Sequence, residues 1–318
     1  MPAQLAVIVL NYRTPGLTVD CLASLEPEIE PGITVVVVDN ASGDGSAEIL
    51  QRAVVERGWA KWARVISSPV NGGFAAGNNL GIRSVEAAAY LLLNSDTLVR
   101  RGALRSLLQA MEAHPDAGAI GSALLGTDGT REHSAFRLIH PVSELIRSAN
   151  LGPLTRAMHR FHVVGPLAEA PEEAGWVSFA CVLLRAEAIH EVGPLDEGFF
   201  MYFEDVDYCR RVHRSRWKVL TWPSALVVHL AAGHSGPMSG EAARRRLPRY
   251  YYAARARYFA KYYGRAGLWL ANLLWHLGRG PAFVRRHLGR PDTPREREFL
   301  DIWTNALHPL RTGQPSAR

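Results

Sequence analysis

Three acids fall within four positions of the segment FFMYFEDVDYCRRV: Glu204, Asp205 and Asp207. On a helix Asp207 lies one turn from Arg211, an ordinary i,i+4 ion pair, and reads as structural. Asp205 faces another side, with Tyr208 and Cys209, and the adjacent Glu204 raises its proton affinity by like-charge repulsion. A carboxylate so tuned can accept a proton from an attacking hydroxyl, which makes Asp205 the candidate general base. Asp96, in LLLNSDT, offers a second chemistry. With substrate oxygens and waters it could hold a hard cation, magnesium or manganese, across two phosphates; alternatively it caps a helix starting near Val99. His229 closes the run SALVVH and could complete that metal shell or be a core histidine. Glu204, Trp176 and the glycine-flanked pair His234 and Ser235 are candidate contacts to a diphosphate or an acceptor.

Two further clusters suit a nucleotide. Asp39 precedes NASGDGS, whose small residues let a ligand approach while Asp44 or Ser46 caps the next helix. Its carboxylate could bond a nucleobase or ribose, or it could simply tie down the turn. In NGGFAAGNNLGI, Gly72, Gly73 and Gly77 clear side chains from a sheet edge, and Asn71, Asn78 and Asn79 offer amide donors and acceptors. This is not the dinucleotide fingerprint, which needs G-x-G-x-x-G directly after the first strand, so a nicotinamide enzyme is disfavoured.

The elements that must position these residues are legible as apolar runs. LAVIVLNY, ITVVVVDN and AYLLLNSD are continuously hydrophobic, as strands covered on both faces are, and helical patterns or turns lie between them. That implies an α/β sheet with parallel strands. Polar residues follow each run at once: Asn11, Tyr12 and Arg13, then Asp39 and Asn40, then Asn94, Ser95 and Asp96. The carboxyl ends of such strands are where ligands bind. GWVSFACVLLR and SALVVHLAAGHSG supply later strands, and residues 150–173 read as a long irregular surface excursion.

The 318 residues, 47% hydrophobic, suffice for a sizeable core. Three scattered cysteines without ligand spacing argue against a disulfide framework or zinc site, and fit a reducing, cytoplasmic setting. No apolar stretch reaches the roughly 20 residues of a spanning helix. The net charge of +6 is uneven: from Glu241 onward there are 16 Lys+Arg against 5 Asp+Glu. A boundary near there separates residues 1–240 from a basic, aromatic extension, 241–318.

Taken in order, VVVVDNASGDGS, NGGFAAGNNLGI, LLLNSDT, WVSFACVLLR, DEGFFMYFEDVDYCRR and VVHLAAGHS resemble the inverting family 2 glycosyltransferases, particularly their rhamnosyltransferase-like branch. The resemblance covers roughly residues 5–240. It implies a GT-A fold, a Rossmann-like mixed sheet flanked by helices. It also implies that Asn11, Tyr12 and Asp39 hold the nucleoside, that Asp96 and His229 hold the metal with His234 as the other candidate, and that Asp205 is the base. Asn94 replaces the first aspartate of the family's metal motif, Phe179 stands where relatives carry glycine beside the donor sugar, and Pro194-Leu195 replaces a Gly-Phe pair. The implied donor is a dTDP- or UDP-sugar, rhamnose first, and the implied acceptor a glycan or lipid-linked saccharide of the cell envelope.

In the extension, Tyr250, Tyr251, Tyr252, Tyr258, Phe259, Tyr262, Tyr263, Trp269 and Trp275 alternate with arginines. Either these rings lie in a membrane interface, giving peripheral attachment at the inner face of the cell membrane, or they pack on the catalytic domain. Gripping nucleic acid is the competing use of such a segment, but it leaves Asp39, Asp96 and Asp205 unexplained, and no nucleic acid is expected. A catalytically silent sugar-nucleotide binder is the other alternative.

Overall fold

The computed structural model describes residues 3–230, 246–287 and 295–310. The three leading apolar runs become β1 (Ala3–Asn11), β2 (Ile33–Asp39) and β4 (Ala87–Asn94), with β3 (Ala63–Ser67) between the latter two. Helices α1 (Pro15–Leu25), α2 (Ser46–Glu56) and α3 (Gly73–Arg83) join them. The rest of the sheet comprises β5 (Thr97–Val99), β6 (Ala117–Leu125), β7 (Arg131–Glu132), β9 (Glu172–Glu173), β11 (Cys181–Arg185) and β12 (Lys218–His229). A separate two-stranded ladder pairs β8 (Ala135–Phe136) with β10 (Trp176–Val177). Helices α4 (Ala103–Ala113), α5 (Pro141–Ala149), α6 (Gly152–Ala157), α7 (Ala186–Val192), α8 (Glu204–Val212), α9 (Arg249–His287) and α10 (Glu298–Asp301) complete the chain.

The main sheet runs β3-β2-β1-β4-β11-β6-β12-β5. β1 lies parallel to β2 and β4, whereas β11 is antiparallel to both β4 and β6, so the sheet is mixed. Strand order reverses at β1, and the crevice for a ligand in such a sheet opens there. Two apolar layers cover the sheet. One packs Leu22, Leu25, Leu50 and Leu107 beneath alternate strand residues such as Val7 and Val35; the other packs Ala75, Ile82, Tyr208 and Val212 against Ile8, Val36 and Val182. Burial on both faces explains why these strands read as unbroken hydrophobic runs.

Several expectations change. Asp96 caps no helix near Val99, because residues Thr97–Val99 form β5, paired antiparallel to β12, and the helix begins only at Ala103. The excursion over 150–173 is not wholly irregular: it holds α6 and a 3-10 turn at His159–Phe161. Gly77 and Gly81 serve packing, since an added Cβ would meet Leu10 and Ile8 respectively, which lets α3 lie close on the sheet. Gly73, at φ +83°, tolerates the Phe200 carbonyl where any side chain would collide. Phe179 is 3% exposed in the core, its ring edge-on to Tyr208.

The basic extension does not stand apart. Helix α9 is broken at Gly264 (φ 69°, ψ 179°), and its first half buries Tyr258 and Phe259 against Phe199, Phe203 and Val206. Tyr252 and Trp275 are also fully buried. For these rings packing is the outcome, because each finds an apolar partner on α8, the turn before it or a neighbouring helix. Inside this region Arg255, 1% exposed, donates to Glu144 Oε2 (3.1 Å) and Asn272 Oδ1 (2.7 Å). Burial works against the Glu144 carboxylate, but Arg147 and Arg255 outweigh it and hold its pKa down at about 2. Among the described residues no helix is long and apolar enough to cross a membrane.

Candidate active site

The carboxyl edge of β1, β2 and β4 gathers the first half of the site. Asn11 and Asp39 are direct register partners across β1 and β2, and Asn94 lies beside Leu10 on the other side of β1. Asp39, 4% exposed, accepts from Asn11 Nδ2 (2.8 Å), Ser42 Oγ (2.6 Å) and the Ser42 amide (3.2 Å). Asn11 is itself fully buried, and its Oδ1 accepts from Thr18 Oγ1 at 2.9 Å. Its side chain is therefore consumed in aiming Asp39. Ser42 binds the two turns together, accepting from the Arg13 amide through Oγ at 2.9 Å and from Arg13 Nε through its carbonyl at 3.0 Å. Tyr12, 41% exposed with the Arg13 guanidinium over its ring, is the open aromatic face of this edge. The reading from sequence passed over Ser42; an Asp followed three residues later by Ser is the local signal for such a side-chain-closed turn.

The amides of the glycine-rich segment are engaged in part, and that of Asn79 at both ends. Asn71 Oδ1 accepts from Asn40 Nδ2 (2.9 Å) and the Gly73 amide (3.0 Å), and Asn78 Nδ2 donates to the Phe74 carbonyl within α3. Asn79 donates to the Leu195 carbonyl and to Glu197, and accepts from the Leu195 amide, so it pins α3 to the Pro194-Leu195 loop. The N-cap of α2 is Gly45, with no side-chain cap bond, so neither Asp44 nor Ser46 caps the helix as expected; Asp44 instead accepts from the Ser46 amide (3.1 Å) and closes the turn before it.

At the other end of the β4 edge, Asp96 Oδ1 lies 3.4 Å from His229 Nε2. Pairing of β5 with β12 sets Thr97 opposite His229, and the Leu230 amide donates to the Asp96 carbonyl, so the backbone fixes this approach. His229 is thus both a buried residue, at 3% exposure, and a partner for Asp96. A carboxylate and an imidazole converging on one point are a donor set that a divalent cation accepts, with remaining positions left to phosphate oxygens and water. Among the described residues no group of three or more His, Cys, Asp or Glu side chains forms a self-sufficient metal cage. His234 and Ser235 lie outside the described residues.

The second half of the site is the N-terminus of α8. Tyr202 and Phe203 both hold positive φ, +70° and +66°, immediately before Glu204. For bulky residues that conformation costs on the order of 1 kcal/mol or more each. The extension holds it in place: Tyr202 packs on Tyr250 and Tyr251, and Phe203 on Tyr251 and Tyr258. Asp207 is ion-paired to Arg211 Nε at 2.9 Å, as its spacing suggested, and also to Lys261 Nζ at 2.6 Å. Glu204 is 6% exposed, and among the described residues its Oε2 finds no hydrogen-bond partner; nor, among them, does the buried Trp176 indole N–H, on a ring stacked against Phe136.

These carboxyls are not ordinary acids. Burial raises Asp205 to about 7 against the opposing hydrogen bond from the Val206 amide. Burial, followed by repulsion from Asp205, holds Glu204 well above the usual carboxylate range. Burial is the first cause of the rise in both carboxyls, and the like-charge repulsion expected between Glu204 and Asp205 adds to it. A half-buried acid that titrates near neutrality, at a strained helix start in a ligand-binding fold, is equipped to accept a proton.

The model of the family described as glycosyl transferase family 2 matches residues 6–165. This chain belongs to glycosyl transferase family 2. It is 31% identical over 310 residues to the N-acetylglucosaminyl-diphospho-decaprenol L-rhamnosyltransferase of Mycobacterium tuberculosis, covering 91% of this chain and 93% of that one. Among solved structures, residues 1–349 of S. aureus TarS superpose with a TM-score of 0.54 at 16% identity, over 96% of this chain and 80% of the other. GalNAc-T7, solved with UDP, GalNAc and Mn2+, gives a TM-score of 0.57 at 12% identity over 97% of this chain and 58% of its own. The family 2 fold is therefore the GT-A sheet expected from the motifs, and the chain is a glycosyltransferase and a homologue of rhamnosyltransferases.

Proposed function

We propose that the protein transfers a sugar, rhamnose first, from a nucleoside diphosphate to a hydroxyl of a lipid-linked saccharide, with inversion at the anomeric carbon. The observation that carries this reading is Asp205: burial leaves it an acid titrating near 7 on the strained turn that begins α8. The activity of the mycobacterial relative, an N-acetylglucosaminyl-diphospho-decaprenol L-rhamnosyltransferase, supports the sugar and the class of acceptor. In this reading Asp205 takes the proton of the acceptor hydroxyl as its oxygen attacks. Tyr12 and Asp39 receive the nucleoside of a dTDP- or UDP-sugar, with Asn11, Asn71 and Asn78 shaping the edge from behind, and Glu204 and Trp176 line the acceptor side. Asp96 and His229 hold magnesium or manganese, which when bound offsets charge on the departing diphosphate. Residues 1–240 form the catalytic domain and 241–318 an extension that steadies α8 and attaches the protein peripherally to the cytoplasmic face of the membrane, in the synthesis of envelope polysaccharide or glycolipid.

The test is a screen of nucleoside-diphosphate sugars for metal-dependent release of nucleoside diphosphate, with and without lipid-linked acceptors. Wild type is compared with Asp205→Asn and Asp96→Ala. Turnover that needs magnesium or manganese, and vanishes in Asp205→Asn while donor binding survives, upholds the assignment. Absence of binding and turnover with every donor sinks it.

A further inference from the structure

Beyond Gly264, α9 turns its hydrophobicity outward. Trp269, Leu270, Leu273 and Leu277 are 43%, 47%, 56% and 65% exposed, and they recur at the spacing of one helix face. Ala266 and Gly280 extend that face at either end, and no charged residue interrupts it. The opposite face, with Leu268, Ala271 and Trp275, is the buried one. Beside the helix, residues 295–310 add Phe299, Leu300, Leu307 and Leu310, each 47–74% exposed. The two stretches are tied together: Trp303 packs on Trp269, Phe299 on Trp275, and Arg265 donates to the Leu307 carbonyl. Eight of the thirteen large hydrophobic residues exposed among those described lie here, so this is a concentrated patch and not the ordinary scatter of surface apolar groups.

What covers the patch follows from charge. Beside the apolar residues Arg265 and Arg297 stand exposed against one exposed acid, Glu296, and the chain from Glu241 onward carries 16 Lys+Arg against 5 Asp+Glu. A second copy of this chain would bring like charges together around the contact, whereas an anionic surface complements them. The helix is not apolar enough to span a bilayer. We propose that this face of α9, with Phe299, Leu300, Leu307 and Leu310, seats the protein flat on an anionic lipid bilayer, its leucines entering the headgroup boundary and its arginines meeting lipid phosphates. The inference gives a face to the peripheral attachment suggested above; of the rings expected at a membrane it keeps Trp269, while Tyr252, Tyr258, Phe259 and Trp275 are buried. It is separable from the transferase reading, because vesicle binding requires neither donor nor acceptor. The seat also bears on the site: the other half of the same helix carries Lys261 and Tyr262, which bind Asp207.

The test is sedimentation of the full chain with vesicles of phosphatidylglycerol and phosphatidylcholine, and with phosphatidylcholine alone. Wild type should pellet with the anionic vesicles and do so less as salt rises. Leu273→Gln/Leu277→Gln should lose about tenfold or more in vesicle affinity, with unchanged melting temperature and nucleotide binding, since both side chains are exposed. Arg265→Gln/Arg297→Gln should lose a smaller factor and flatten the salt dependence. The proposal is overturned if wild type ignores anionic vesicles or if the leucine variant binds as well as wild type. It is equally overturned if wild type is a dimer that the leucine variant dissociates, which would assign the face to a second copy.

Discussion

Two buried acidic sites in this molecule are built in opposite ways. Asp39 sits at the end of a strand with Asn11, the Ser42 hydroxyl and the Ser42 amide all donating to it. Glu204 and Asp205 open α8 with backbone amides as the donors to their carboxyls, that of Val206 at 2.8 Å from Asp205, and with a Glu204 oxygen that has no partner among the described residues. A carboxylate wrapped in donors is fixed in place, which suits a platform that receives a ligand. Carboxyls that burial deprives of donors are pushed to hold protons, which suits transfer chemistry. The largest effect should come from breaking the second site: Asp205→Asn should lower turnover by about a thousandfold, read as nucleoside diphosphate release, while calorimetry finds donor affinity within about twofold of wild type. Equal loss of both would mean that Asp205 belongs to the platform instead.

Next in size is the effect of pH on the wild type. With Asp205 titrating at about 7, its basic form grows as pH rises through that value. Turnover at saturating donor should therefore fall by about tenfold from about pH 8 to about pH 6, with nucleotide affinity nearly flat over the same window. An affinity that follows the same curve would place the titrating group on the donor side and erase the contrast between the sites.

Breaking the first site should be felt mainly in folding and affinity. Asp39→Ala leaves the Asn11 amide and the Ser42 hydroxyl buried without their acceptor. A loss of about 2 kcal/mol in urea unfolding and about tenfold in nucleotide affinity is expected. A variant that unfolds like wild type and still binds nucleotide would show the network to be dispensable.

The two sites also differ in how far the sequence foretold them. Strand ends were readable because residues buried on both faces are continuously apolar, and the polar residue that ends each run is conspicuous. The approach of His229 to Asp96 is one of two uses that a strand-end histidine offers, and the family resemblance favours it; nothing in local spacing says that β5 and β12 pair. Asn11 and Asn78 read as ligand-facing amides, yet their bonds run inward, because whether an amide meets substrate or backbone depends on a turn that one-dimensional pattern does not encode. Least legible was the extension. Arginine reads as surface, so the burial of Arg255 between Glu144 and Asn272 had no signature. The outward leucines of α9 were hidden because periodicity marks an apolar face without saying which way it turns.

The smallest predicted effect discriminates between two causes at the α8 start. Glu204 has its folded pKa raised, so between the ordinary carboxyl value and that raised value the native chain holds a proton that the unfolded chain has lost. Stability attributable to Glu204 therefore falls as pH increases through this window, the reverse of a salt-bridged acid. Glu204→Gln removes that dependence and should leave the protein more stable than wild type by about 1 kcal/mol at neutral to alkaline pH, measured by urea unfolding across pH. The same variant tests what lifts Asp205. If burial sets its proton affinity, the midpoint of the pH–turnover curve stays where it was, because Gln fills the same space. A midpoint that drops by about one unit or more would restore like-charge repulsion as the cause, since that shift corresponds to about 1.4 kcal/mol of interaction removed with a single charge.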